Sequence, residues 1–325
     1  MKKIHLFLVM ALALVLAACG NTEKTEETPK EQTTEAETEK VTIENNDLTF
    51  EYEKAPTRAI SLNQHVTEIM LALGLEDAMV GTAYLDDEIY PPLKEAYEKV
   101  PVLAAEYPSK EQVINAEADF LYGGWPSALA EKSIGTAEEW QKMGVNSYLQ
   151  TSSVMTAPTL EDIFTDIRNI AKIFRIEERG ETLIDEMKTN VETVQAQLPE
   201  QDDPVRVFVY DSGDKELLTA AQNIMNNFVT QAGGDNIFKA IEKGWTSVSK
   251  EDVVTHDPEV IVVMDYGGTP LEDKLTFLKN DPALKNTTAV KNEHFVIMPL
   301  SAASEGVRAA EAIETLAKGF YPNSF

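Results

Sequence analysis

Cysteine is almost missing from this sequence: Cys19 is the only one in 325 residues. One thiol closes no intramolecular disulfide and builds no thiolate metal site, so the fold has to be held by burial. Histidine is nearly as scarce, at four residues. Basic side chains are outnumbered too, 28 Lys and Arg against 55 Asp and Glu, for a net charge of −27. That surface repels nucleic acid and anionic lipid headgroups, which call for basic patches. The chain also lacks a Gly-x-Ser-x-Gly elbow, a Gly-x-x-x-x-Gly-Lys-Ser/Thr phosphate loop and a Gly-x-Gly-x-x-Gly turn after a strand. No enzyme is expected. Asp211-Ser212-Gly213-Asp214 is read as a turn after a strand, at the lip of a cleft, rather than as a nucleophile site.

Long apolar runs are absent except at the start. Lys2 and Lys3 precede the run Ile4 to Leu16, which then reads Leu16-Ala17-Ala18-Cys19-Gly20. The run is too short for a permanent span, and the small residues before a cysteine mark a removable export signal. The pattern resembles a bacterial lipoprotein box, which implies cleavage after residue 18 and acylation of Cys19. Two or more acyl chains anchor stably. The expected site of action is therefore the outer face of the cytoplasmic membrane, with the lipid as the sole membrane contact. Residues 19–40 are the expected lipidated Cys19 and, from Asn21 on, almost entirely Thr, Glu, Lys, Gln, Pro and Ala with hardly an apolar side chain, a composition that stays solvated and serves as an acidic tether.

The remaining residues, 41–325, are enough for one large core or two modest ones, and 43% of the whole chain is hydrophobic. Val41 to Tyr52, around Asn45-Asn46, predicts a hairpin. Then β-rich runs alternate with helical spacing: strands at 59–62, 78–81 and 120–122, helices at 66–73 and 110–116. Ser109 with Gln112 and Thr136 with Glu139 have the spacing of capping boxes. From Thr159 to Leu198 the spacing of Ile163, Ile167, Ile170, Phe174, Leu183, Met187, Val191 and Val194 predicts one long helical region, dented at Gly180. Beyond Pro199 to Pro204 the alternation resumes, with strands at 206–210, 260–264 and 295–298 and helices at 224–232 and 305–320.

An internal repeat flanks that helical region. Ser109-Lys110-Glu111-Gln112-Val113, followed by Asp119 to Gly124, is echoed by Ser249-Lys250-Glu251-Asp252-Val253, followed by Glu259 to Gly268. The expected fold is α/β: two βα lobes, 41–158 and 199–325, each with a central sheet, joined by a single long rigid helix within 159–198, with a ligand cleft between the lobes. Aromatic residues sit in matching loops of the two halves: Tyr84, Tyr107 and Trp125 in the first, Trp245 and Tyr266 in the second. Rings give large contact area at small entropic cost, so these five are candidate ligand-binding residues. Arg308 is the one arginine in the stretch 300–308 expected to face the cleft, and His65 is expected near its lip in a hydrogen-bonding role.

From Ala59 to Tyr321 the chain resembles the substrate-binding proteins for ferric siderophores, haem and cobalamin. The matching stretches are Thr67 to Gly74 with Val80-Gly81, Gly233 to Phe238, and Trp245 ahead of Ser249 to Val253. The resemblance implies an ABC importer as partner, with the permease and ATPase on other chains. It also implies that Glu111 and Glu251 dock on the permease, and that Tyr84, Trp125 and Trp245 lie at or beside ligand-contacting positions; Tyr107 matches less well. Glu at that place in a capped helix also supports the cap and the helix dipole by itself.

Another branch of such receptors holds bare Zn or Mn with several histidines. Here only His65, with Asp86, Asp87 or Glu88, is near the expected cleft, and no metal site is assigned. Scarce arginine disfavours a dense anionic ligand. The expected role is capture of an iron chelate, a ferric siderophore or haem, with a corrinoid, a bare metal ion or a non-transport surface function as alternatives. A monomer with no resident cofactor is expected.

Overall fold

The computed structural model describes residues 40–200 and 203–325. The expected signal segment, Cys19 and all of the tether except Lys40 lie outside the described residues. No helix among the described residues is long and apolar enough to cross a membrane.

The chain enters through a hairpin, β1 (Val41–Asn45) against β2 (Leu48–Tyr52). Its two-residue turn puts Asn46 and Asp47 at φ 50° and 64°, the left-handed pair that a tight hairpin needs. Five parallel strands follow in the order β5-β4-β3-β6-β7: β3 (Ala59–Leu62), β4 (Met79–Ala83), β5 (Val102–Ala104), β6 (Phe120–Gly123) and β7 (Asn146–Leu149). Between them run α1 (Gln64–Ala72), the short α2 (Lys94–Tyr97), α3 (Lys110–Asn115) and α4 (Ala137–Lys142). Both capping boxes form: Ser109 and Gln112 exchange bonds at the start of α3, as do Thr136 and Glu139 at the start of α4.

The second lobe has a six-stranded mixed sheet ordered β11-β9-β8-β12-β13, with β10 also on β8. Its strands are β8 (Val205–Ser212), β9 (Leu217–Ala220), β10 (Gly234–Asn236), β11 (Trp245–Val248), β12 (Val260–Asp265) and β13 (Phe295–Pro299). Its helices are α7 (Ile224–Gln231), α8 (Lys250–His256), α9 (Leu271–Asn280), α10 (Thr288–Lys291) and α11 (Ala309–Phe320). Trp245 thus opens an edge strand, where the sequence suggested a loop. The repeat is structural: a serine-capped helix, α3 or α8, leads into a buried parallel strand, β6 or β12.

The region 159–198, expected as one helix, is two: α5 (Leu160–Ile173) and α6 (Glu177–Gln195). The break is at Arg175, held at φ 60°, with its Nη2 on the Tyr52 carbonyl oxygen at 3.0 Å. That turn keeps Phe174 in the first lobe, edge-on to Phe120 at 5.4 Å, while the chain leaves for the second. Gly180, read as a dent, is a close approach: a Cβ there would fall 2.5 Å from Ala171 Cβ, so only glycine lets α6 sit on α5. The single helix joining the lobes is α6. Arg179 near its start donates to the Leu73 and Gly74 carbonyl oxygens, and Gln195 at its end bonds Gln231 of α7. Its 19 residues span about 28 Å at 1.5 Å each.

Strand periodicity distributes the cores. Val260, Val262 and Met264 of β12 face a core shared with Phe120 and Tyr122 of β6 and with Ile184, Met187, Val191 and Val194 of α6. The alternate residues Ile261 and Val263 face a separate core of the second lobe, as Ile60, Leu62 and Leu121 do in the first. The two lobes therefore share one continuous apolar layer along α6. The last helix starts at Ala309 rather than at Glu305 because the preceding residues are drawn into contacts with the first lobe.

Candidate functional site

Two of the bonds between the lobes join segments that follow the carboxyl ends of parallel strands. Ser301, after β13, donates its N–H to Asp87 Oδ2 at 3.0 Å, after β4. Gln150, after β7, donates to the Glu305 carbonyl oxygen at 2.9 Å. The Ala157 N–H bonds the Gln222 carbonyl oxygen at 2.8 Å. The carboxyl edges of the two sheets thus face each other, which is where open α/β sheets take ligands.

Asn63 organises the first wall. It follows β3 at φ 127°, a conformation rare for a residue with a side chain. Its Oδ1 accepts the N–H groups of Gly124 and Trp125, both at 3.2 Å, and its Nδ2 donates to the Tyr107 hydroxyl at 3.0 Å. That hydroxyl also lies 2.8 Å from Ser127 Oγ. Tyr84, itself at φ 61°, lies tilted on Tyr107 with ring centroids 4.6 Å apart. Trp125 lies tilted on His65 at 4.6 Å. Tyr84, Tyr107, Trp125 and His65 are therefore brought together.

His65, expected near the lip, is 2% exposed with Nε2 unpartnered, beside the Gly124 backbone. It is packing: a Cβ at Gly124 would meet His65 Cε1 at 2.4 Å, and one at Gly306 would meet His65 Cβ at 3.0 Å. Burial holds its imidazole down at about 4, so it is neutral.

Tyr266 is on the opposite wall, its hydroxyl donating to Asp211 Oδ1 at 2.6 Å and Lys274 Nζ 5.1 Å from its ring centroid. Burial, then Asp211, raise its phenol, and Asp86 of the first lobe adds to the rise. Asp86 also raises Tyr107, whose shift is led by burial. One carboxylate thus acts on tyrosines of both lobes. Trp245 is set apart: it is 38% exposed and pairs with Ala220, at the end of β11 away from Val248.

Arg308 is engaged through Nε and Nη2. Its Nε and Nη2 bind Glu68 of α1 at 2.8 and 2.5 Å, and Nη2 also meets the Glu88 carbonyl oxygen at 2.7 Å. Arg308 is 7% and Glu68 1% exposed, making a buried, two-pronged ion pair between the lobes. Glu68 Oε1 further accepts from Gln64 and from the Tyr90 N–H, both at 3.0 Å, and Gln64 Oε1 accepts the N–H groups of Asp86 and Asp87. The first turn of α1 thereby pins the loop that carries Tyr84. Lys274 is engaged too, on the carbonyl oxygens of Met264 and Tyr266. The sequence reading passed over Asn63 and Glu68; an asparagine at a helix entry was a visible signal for the first, but nothing local marked the second.

No three side chains among His, Cys, Asp and Glu of the described residues converge to hold an ion. His256 and His294 bond backbone carbonyl oxygens of Asp252 and Gly319. Glu111 and Glu251 lie exposed in the first turns of α3 and α8.

The profile of the periplasmic binding protein family matches residues 60–302. An uncharacterized ABC transporter substrate-binding lipoprotein of Bacillus subtilis, YvrC, is 26% identical over 98% of this chain and 96% of its own. The vitamin B12-binding protein of Vibrio parahaemolyticus is 29% identical over 70% of this chain and 78% of its own. A periplasmic binding protein from Veillonella parvula superposes with a TM-score of 0.80 at 33% identity, covering 87% of this chain and 98% of that one.

Two outcomes are expected. Arg308→Met strands the buried Glu68 carboxylate and costs about 3–5 kcal/mol of unfolding free energy, read by urea denaturation, and adding Glu68→Gln recovers most of it. Glu305 is 3% exposed with Oε2 unpartnered. Burial, reinforced by Asp166, pushes its carboxyl from 4.5 up to about 8. A carboxyl raised on folding gives stability that is full at low pH and lost as pH climbs from about 4.5 through about 8. His65, lowered from 6.5 to about 4, gives the opposite slope below about 6.5. Glu305→Gln should therefore flatten the fall in melting temperature between about pH 6.5 and 8.

Proposed function

The chain belongs to the periplasmic binding protein family, as an extracytoplasmic substrate-binding protein of an ABC transporter and not an enzyme, and from that premise we propose that its ligand is a corrinoid, delivered to the permease from a lipid anchor at Cys19. The observation that carries the ligand choice is the commitment of Arg308. With the Arg308 charge paired to Glu68 through Nε and Nη2 and Lys274 donating to carbonyl oxygens, the two cations beside the rings have fewer donors left for an anionic ligand. Asp86, Asp87 and Glu88 follow Tyr84 on the same loop. Such a wall repels catecholate chelates and haem propionates and accepts a large, near-neutral disc.

In this reading Tyr84, Tyr107 and Trp125 cover one face of the ligand and Tyr266 the other, with Trp245 a rim contact. Arg308 is a clamp between lobes rather than a ligand contact, and His65 is the floor beneath Trp125. The shared core along α6 and the Glu68–Arg308 pair resist wide opening, so capture proceeds with small lobe movements. The vitamin B12-binding relatives support this choice over the iron chelate favoured on sequence grounds. A neutral ferric hydroxamate satisfies the same electrostatics and is the second reading.

Titration followed by tryptophan fluorescence separates the two. Cyanocobalamin is expected to quench saturably, haemin and ferrichrome weakly, and Trp125→Ala to weaken cyanocobalamin binding about tenfold or more. Saturable ferrichrome binding with no response to cyanocobalamin would reverse the order.

A further inference from the structure

The repeated helices α3 and α8 match in burial residue by residue. In each, Lys, Glu and the third residue are followed by a valine 0% exposed, Val113 or Val253, and then by an aliphatic residue open to solvent: Ile114 at 52% and Val254 at 36%. Large apolar side chains this exposed are few among the described residues. Two of them occupying one repeat position in both lobes is a pattern that packing does not require, because the buried valine already anchors each helix.

The preceding lysines are matched as well. Lys110 pairs with Glu139 at 3.4 Å and lies 5.5 Å from the Trp140 ring centroid. Lys250 pairs with Asp281 at 2.6 Å and lies 5.0 Å from that of Phe277. Both lysines are thus held against their own lobes, by an acid and a ring each. Glu111 and Glu251 form no ion pair among the described residues. Residues three apart share a helix face, so Glu111 with Ile114, and Glu251 with Val254, present an unpaired carboxylate beside an aliphatic side chain. Each helix also follows an edge strand of its sheet, β5 or β11, so nothing in the sheet covers it from that side.

We propose that Ile114 and Val254 are apolar docking contacts, each seated beside its glutamate in one of two equivalent sockets of a two-fold symmetric partner, each socket holding a cation next to an apolar groove. The proposal rests on the importer reading, in which that partner is the permease dimer, and extends it. Two like units on two lobes meet two like sites when the partner has a two-fold axis. The carboxylates govern approach and its salt dependence, and the aliphatic pair governs residence once water is expelled. Both positions are exposed, so substitution there leaves the fold alone.

The test is association and dissociation of the full mature protein on its cognate permease–ATPase complex in nanodiscs, across salt concentrations. Ile114→Ser with Val254→Ser should raise the dissociation rate about tenfold with the salt dependence of association unchanged. The swap Ile114→Val with Val254→Ile should behave as the parent. Glu111→Arg with Glu251→Arg should slow association and remove its salt dependence. A serine pair that dissociates within about twofold of the parent, while the charge reversal cripples association, overturns the apolar contacts and spares the importer reading. Binding unaffected by either pair overturns both.

Discussion

The buried Glu68–Arg308 pair is the contact on which the arrangement of the cleft depends. It joins α1 of one lobe to the N-cap of α11 in the other, and both partners are withdrawn from water. A buried ion pair gains little net stability over an apolar contact of the same shape, but it tolerates only one geometry. Here that geometry is also the one that positions the rings. Glu68 holds the Tyr90 N–H, its neighbour Gln64 holds the loop after Tyr84, and Arg308 completes the set from across the seam. The lobes are thereby fixed with their strand ends opposed, and α6 beneath them supplies the shared apolar core.

The same pair sets the electrostatics. An arginine committed to a carboxylate no longer recruits an anion, and the loop beside it is acidic. What remains around the space is aromatic surface with fixed hydroxyls: Tyr107 tied to Asn63 and Ser127, Tyr266 tied to Asp211. In the proposed reading, such walls select for size, flatness and low charge. In the proposed docking the outer surface works differently, because it would have to release its partner: carboxylates in water contribute roughly 0–1 kcal/mol each to an ion pair, suited to orientation rather than trapping.

Much of the fold was legible because its signals are local. The hairpin, read around Asn45-Asn46 and found to turn one residue later at Asn46-Asp47, the two capping boxes and the alternation of strand and helix are each written within a few residues. The repeat revealed the second lobe for the same reason. The break at Arg175 was hidden because α5 and α6 both carry apolar rows at helical spacing, and a left-handed arginine leaves no mark of the kind that glycine would. The ring cluster around Tyr84, Tyr107 and Trp125 was foreshadowed by loop aromatics, but Trp245 opens an edge strand and stands away from them. Glu68 and Arg308 are 240 residues apart, so their pairing has no local trace, and a lone arginine facing a cleft reads as a ligand contact. Asn63 was passed over because its side chain serves another loop rather than capping its own helix.

The central claim is that the rings of both lobes close on one flat, near-neutral ligand. A crystal structure of the mature protein grown with saturating cyanocobalamin addresses it most directly. The account predicts the corrin ring between the Tyr84, Tyr107 and Trp125 wall and Tyr266, with the Glu68–Arg308 pair intact. Density for the ligand away from these rings, or Arg308 released from Glu68 to bind it, would contradict the account.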